Sequence, residues 1–175
     1  MTPLAAWIVS VSTFVTDAAG HPATKPIDVA GAEAIAKRCE GVGKTFEEQA
    51  TCGAVYLVHS FLESGYNLLA VSRTDCRDHL TGKFYTVPWG ETCRPGDEPV
   101  SFGPFQTGKK PKDWEEAVAI FTPLLIKSAT TCLEPLAMVA SGSCTNKAGI
   151  AISKSRMAKA RKLVADHPFK PEDKS

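Results

Sequence analysis

One segment constrains the fold more than any other. Cys52-Gly53-Ala54-Val55-Tyr56-Leu57-Val58-His59-Ser60-Phe61-Leu62 is apolar nearly all round a helical wheel and leads directly to Glu63. Such a pattern marks a helix in the interior of a domain, not one on its surface. The remaining elements must therefore pack around this helix. Gly65 is placed to end it, as Gly usually does just past a helix terminus. Glu63 is then left at the lip of whatever cleft that end faces. Burial favours the protonated form of a carboxyl, and a group that donates a proton near neutral pH needs that form.

Six cysteines, Cys39, Cys52, Cys76, Cys93, Cys132 and Cys144, fall in three sequence-local pairs with no CxxC spacing. This layout suits nearest-neighbour disulfides, Cys39 with Cys52, Cys76 with Cys93 and Cys132 with Cys144, and an oxidising location, periplasmic or extracellular. At 175 residues the chain is long enough for one domain with its own core. A net charge of +1 gives no global argument for nucleic acid or a membrane surface. The charge is concentrated in the tail, where Lys147, Lys154, Arg156, Lys159, Arg161, Lys162, Lys170 and Lys174 face only Asp166, Glu172 and Asp173. That pattern reads as a solvated helix face, or as a surface for an anionic polymer.

The first residues carry two readings. Leu4 to Val15 is an apolar run too short for a membrane-spanning helix of about 20 residues. Followed by small residues near Ala18-Ala19 it suits a leader, although no Lys or Arg precedes it. Equally, Thr2-Pro3 forms a helix start, and Leu4, Trp7, Ile8, Val11, Phe14 and Val15 share one helical stripe. Residues 1–27 are accordingly a terminal helix or leader plus linker, 28–167 the main domain and 168–175 a polar tail.

Within the main domain, Asp28 caps a helix to Cys39 with Val29, Ala32, Ile35 and Ala36 inward. Thr45-Phe46-Glu47-Glu48 has the capping-box form and opens the helix that reaches Glu63. From Tyr66 to Phe102, Pro88, Gly90, Pro95, Gly96 and Pro99 break any periodicity. The expectation there is a small irregular or β lobe held by Cys76 and Cys93. Helices return at 112–128, with Trp114, Val118, Phe121 and Leu125 inward and Pro123 a kink, at 133–140 and at 147–165. The fold class is mainly α with a small lobe inserted after Glu63.

Glu63-Ser64-Gly65-Tyr66-Asn67, then Ala70-Val71-Ser72, then Ser101-Phe102-Gly103-Pro104-Phe105-Gln106, resembles the lytic transglycosylases of the lysozyme-like superfamily, relatives of goose-type lysozyme. The resemblance spans roughly Val29 to Val164. Its third, small-residue motif falls at Ala137 to Ser143, where Val139 and Ala140 replace the usual Tyr-Asn. The resemblance implies an α+β lysozyme-like domain acting as a monomer on peptidoglycan strands. Glu63 would be the single catalytic acid/base, protonating the oxygen between N-acetylmuramic acid and N-acetylglucosamine. It would then take the proton of the muramic 6-hydroxyl as that oxygen closes a 1,6-anhydro ring. Ser64, Ser101, Phe102, Gly103, Gln106 and Tyr66 would form the substrate side of the site, Ser64 by orienting Glu63 or by contacting substrate and Gln106 by presenting its amide to the sugar cleft.

Tyr66, Trp89, Phe102, Phe105 and Trp114 are the rings available for stacking on sugar, each also a candidate for the core. A hydrolase of lysozyme type would need a second carboxylate, for which Asp75, Asp78, Glu91, Asp97 and Glu98 are available. A non-catalytic, disulfide-bonded glycan- or protein-binding module is the remaining alternative. His59, one turn before Glu63, reads as a hydrogen-bonded core residue. Asp75, Asp78 and His79 form only a loose cluster, so no metal and no cofactor is expected.

Overall fold

The computed structural model describes residues 1–71, 75–88 and 91–171. Among the described residues, six helices, α1 (Pro3–Ser12), α2 (Val29–Glu40), α3 (Phe46–Ser64), α4 (Trp114–Thr131), α5 (Ala137–Ser141) and α6 (Lys147–Asp166), surround one core. Three short strands, β1 (Asp75–Arg77), β2 (Phe84–Thr86) and β3 (Glu98–Pro99), lie between α3 and α4 in sequence. They form an antiparallel sheet with β1 in the middle, Cys76 standing opposite both Tyr85 and Pro99. The protein is thus mainly α with a small three-stranded sheet.

Helix starts follow local chemistry. Asp28 caps α2 by accepting from the Gly31 amide at 2.7 Å. Its other carboxylate oxygen accepts from Trp114 Nε1 at 2.9 Å, which joins the starts of α2 and α4. At α3, Thr45 accepts from the Glu48 amide and Glu48 accepts from the Thr45 amide, so two otherwise orphaned donors are satisfied reciprocally. The far end of α3 closes on Gly65 at φ +64°, a left-handed conformation that glycine adopts without steric penalty.

Helix α3 is the centre of the molecule. Every residue from Gly53 to Ser60 is buried, and α1, α2 and α6 pack on it. The segment 1–27, set apart in the sequence, contributes Leu4, Ala5, Ile8, Val11 and Val15 to the same core as α2, α3 and α4. Phe14, expected on that stripe, is instead 56% exposed, because α1 ends at Ser12 and its helical phase no longer holds. Val29 is likewise exposed at the first turn of α2, while Ala32, Ile35 and Ala36 are buried as expected. Helix α4 continues through Pro123 to Thr131. The helix expected over 133–140 shrinks to α5, since Pro135 disfavours helical backbone at the residue before it.

The three disulfides are Cys39–Cys52, Cys76–Cys93 and Cys132–Cys144. They join α2 to α3, brace the small sheet, and close the segment around α5. Three such bonds fit a protein that matures in an oxidising compartment. Among the described residues no helix is long and apolar enough to cross a membrane.

Candidate active site

Glu63 is the next-to-last residue of α3 and lies one turn beyond His59, so both side chains share a face. It is not the buried carboxyl that the apolar helix suggested: its side chain is 26% exposed. Arg156 of α6 meets it, with Nη2 at 2.6 Å from Oε1. The other terminal nitrogen, Nη1, donates to His59 Nδ1 at 2.7 Å. Arg156 is itself buried, and its Nε has no hydrogen-bond partner among the described residues.

Because arginine is always a donor here, His59 Nδ1 accepts and the imidazole proton resides on Nε2. Burial, and then the adjacent guanidinium charge, push the His59 pKa well below its ordinary 6.5. His59 is therefore neutral near neutral pH, and its 3.9 Å approach to Glu63 is not an ion pair. The ring stacks on Phe121 at 4.7 Å, as a core residue does.

A folded-state histidine held neutral contributes stability that is present above the ordinary pKa and lost as pH falls below it, because the unfolded chain then binds a proton that the folded chain refuses. We expect stability to fall by up to ~1.4 kcal/mol per pH unit below about pH 6.5. Melting temperatures of wild type and His59→Gln across that range check this. A wild-type slope no steeper than that of the variant would contradict it.

The second sequence signature folds against the end of α3. Phe102 and Thr107 exchange backbone hydrogen bonds at 2.8 and 2.9 Å, closing a tight loop over residues 102–107. Gly103 takes φ +73°, and a side chain there would strike the Pro111 ring 2.7 Å away. Its amide donates to the Ala70 carbonyl at 2.8 Å, and Phe102 bridges Val71. Phe105 anchors the loop in the core, stacked on Phe121 at 4.5 Å and edge-on to Trp114 and Tyr56. Pro104 is fully buried beside it. The two signatures, Glu63-Ser64 and Ser101–Gln106, are thus brought together.

Individual side chains depart from the sequence expectations. Ser64 is engaged by backbone: its hydroxyl donates to the Ser60 carbonyl at 2.9 Å, with the Pro104 carbonyl at 3.3 Å, and accepts from the Asn67 amide. It ties helix end to loop. Tyr66, expected against sugar, points into the core, and its hydroxyl donates to the Ser12 carbonyl at 2.8 Å. The cause is backbone: Gly65 and Tyr66 are both left-handed, φ +64° and +65°, which turns the chain back on itself. Phe105 and Trp114 are likewise core residues. Gln106 donates its amide nitrogen to the Gly103 carbonyl at 2.9 Å, closing its own loop. Phe102 is half-buried, and Trp89 lies outside the described residues.

The acidic residues of the lobe separate by role. Asp75 accepts from Ser101 Oγ at 3.3 Å and so stands next to the loop. Asp78 caps its own turn at Leu80 and Thr81. Asp97 accepts from the Tyr85 hydroxyl and from His79, both at 2.6 Å, and these bonds hold its pKa down to about 2. Glu91 and Glu98 are exposed. Among the described residues no group of three or more His, Cys, Asp or Glu is placed to hold a metal.

Set against known proteins, the chain matches no family model, no curated protein and no solved structure. The site must therefore be read from its own chemistry. Arg156 is the neighbour of Glu63 and His59 that sequence reasoning missed. It was counted with the solvated lysines of the tail, yet Gly149, Ser153, Arg156, Ala160 and Leu163 form the buried stripe of α6 at helical spacing. A charged residue within that stripe was the available signal. The segment expected to hold the third motif, Ala137–Ser143, begins with α5 and passes through its cap Gly142; the Ser141 hydroxyl donates to the Ala137 carbonyl. A wide groove along α2 and α4, lined by Ala34, Arg38, Val118, Ala119 and Ile126, does not include Glu63.

Proposed function

We propose that this chain is a peptidoglycan lytic transglycosylase of lysozyme-like architecture, exported to the periplasm or the cell exterior, with Glu63 as its single acid/base. The observation that carries this reading is the partly exposed Glu63 carboxyl at the end of the buried helix α3, tied through Ser64 to the Ser101–Gln106 loop. A rigid helix end and a core-anchored loop provide the fixed geometry that general acid catalysis requires.

In the first step the protonated Glu63 carboxyl gives its proton to the oxygen bridging N-acetylmuramic acid and N-acetylglucosamine, and the C1–O bond breaks. In the second, the resulting carboxylate takes the proton of the muramic 6-hydroxyl while that oxygen bonds to C1. Glu63 ends protonated, as it began, and no water is consumed. The substrate's hydroxyl does what a second carboxylate does in a hydrolase.

One observation favours the hydrolytic alternative. Asp75, held by Ser101, is a carboxylate at the loop that faces the end of α3. Mass spectrometry of the soluble products from purified peptidoglycan distinguishes the readings. Anhydro-muramic ends support the transglycosylase, reducing ends the lysozyme-type muramidase. No products from a folded sample would leave a non-catalytic glycan-binding module and overturn the proposal.

A further inference from the structure

We infer that Arg156 is the positioning residue of Glu63, its fixed guanidinium setting the direction in which the carboxyl hands over and takes back the proton. This rests on the acid/base reading of Glu63 and assigns a residue of α6 to that site.

Three observations lead to it. The guanidinium is clamped at two points, by Glu63 Oε1 at 2.6 Å from Nη2 and by His59 Nδ1 at 2.7 Å from Nη1. His59 is in turn fixed by stacking on Phe121 at 4.7 Å. The plane of the arginine fork, and with it the direction of its donors, is therefore set by the core. In addition, the Glu63 side chain is 26% exposed, so a carboxyl paired with a buried guanidinium still reaches solvent.

Stability alone does not account for such an arrangement. Arg156 is buried, and taking a charged side chain out of water costs free energy that its partners must offset. Moreover, Arg156 Nε is left without a partner among the described residues, a defect that an apolar residue would not introduce.

The chemistry uses the fixed charge. As the proton leaves Glu63 for the bridging oxygen, negative charge grows on the carboxyl and its attraction to the Arg156 guanidinium strengthens. That interaction is greater in the transition state than before it, which is the kind that accelerates a step. When the muramic 6-hydroxyl gives its proton to Glu63, the charge is discharged again and Arg156 is unchanged.

The test uses the full chain and soluble glycan-strand fragments, with kcat and KM measured beside thermal melts. Arg156→Lys keeps the charge but loses the planar fork, and His59→Gln keeps both charges but releases Nη1. For folded protein, kcat should fall about 100-fold in Arg156→Lys, the scale of loss for an ångström-sized misplacement, with KM little changed. His59→Gln should lower kcat in the same direction. In a Glu63→Gln background neither change should reduce the residual rate further. Wild-type kcat in folded Arg156→Lys, or a loss of activity that merely follows the folded fraction, would overturn the inference while leaving Glu63 as the acid. A folded wild type that cleaves nothing would instead remove the acid/base reading itself.

Discussion

Glu63→Gln is expected to lower the rate of peptidoglycan cleavage by at least ~100-fold and by as much as ~10,000-fold, the range that a positioned general acid/base contributes. The substitution is nearly isosteric. The glutamine side chain keeps the same shape against Arg156, whose Nη2 stands 2.6 Å from Oε1 of Glu63, so the contact between α3 and α6 survives. What the amide cannot do is donate an acidic proton and take one back. The rate of soluble fragment release, measured beside a thermal melt, reads both effects. A folded variant that cleaves at the wild-type rate would remove Glu63 from the chemistry.

Phe121→Ala is expected to produce the largest loss of stability, about 3 to 5 kcal/mol, the usual result of truncating a fully buried aromatic residue. Phe121 is 0% exposed and serves as a common wall for three rings, Phe105 at 4.5 Å, His59 at 4.7 Å and Tyr56 at 5.5 Å. Two of these reach the site. Phe105 anchors the Ser101–Gln106 loop, and His59 holds Arg156. Activity per folded molecule should therefore fall as well, because the loop and the guanidinium both lose a support. Denaturant unfolding measures the first effect, and Phe121→Leu, which removes less volume, should show a smaller one. A change below about 1.5 kcal/mol in Phe121→Ala would mean that the cavity collapses and the core is less specifically packed than described.

Much of the scaffold was legible because it depends on local chemistry. Asp28, the Thr45–Glu48 capping box and Gly65 bound their helices where short-range hydrogen bonding and backbone sterics place them. The sequence-local cysteines pair with their neighbours. The apolar run before Glu63 required an interior helix, and α3 is one. The site was less legible, since its details depend on contacts between residues far apart in the chain. The direction of Tyr66 depends on two successive left-handed residues and on a carbonyl of α1, at Ser12. Ser64 and Gln106 are short polar side chains whose nearest partners are backbone carbonyls, so they close loops instead of facing outward. Arg156 was hidden among lysines because a tally of charge ignores helical phase. Read by its spacing from Ser153 and Ala160, it falls on the buried face.

The pairing with Arg156 also modifies the chemical picture of Glu63. A fully buried carboxyl would be an acid by desolvation alone. The carboxyl found here is partly exposed and meets a fixed positive charge on one oxygen, so its behaviour depends on orientation as much as on burial. Asp75, beside Ser101 at the loop, is the residue to which a water-activating role would fall if the reaction were hydrolytic.

The central claim is that the muramic 6-hydroxyl, not water, ends the reaction at C1. Cleavage of purified peptidoglycan in water enriched in heavy oxygen, followed by mass spectrometry of the new glycan ends, tests it directly. The account predicts ends that lack the elements of water and carry no heavy oxygen, produced by wild type and not by Glu63→Gln. Reducing ends that carry heavy oxygen at C1 would contradict it.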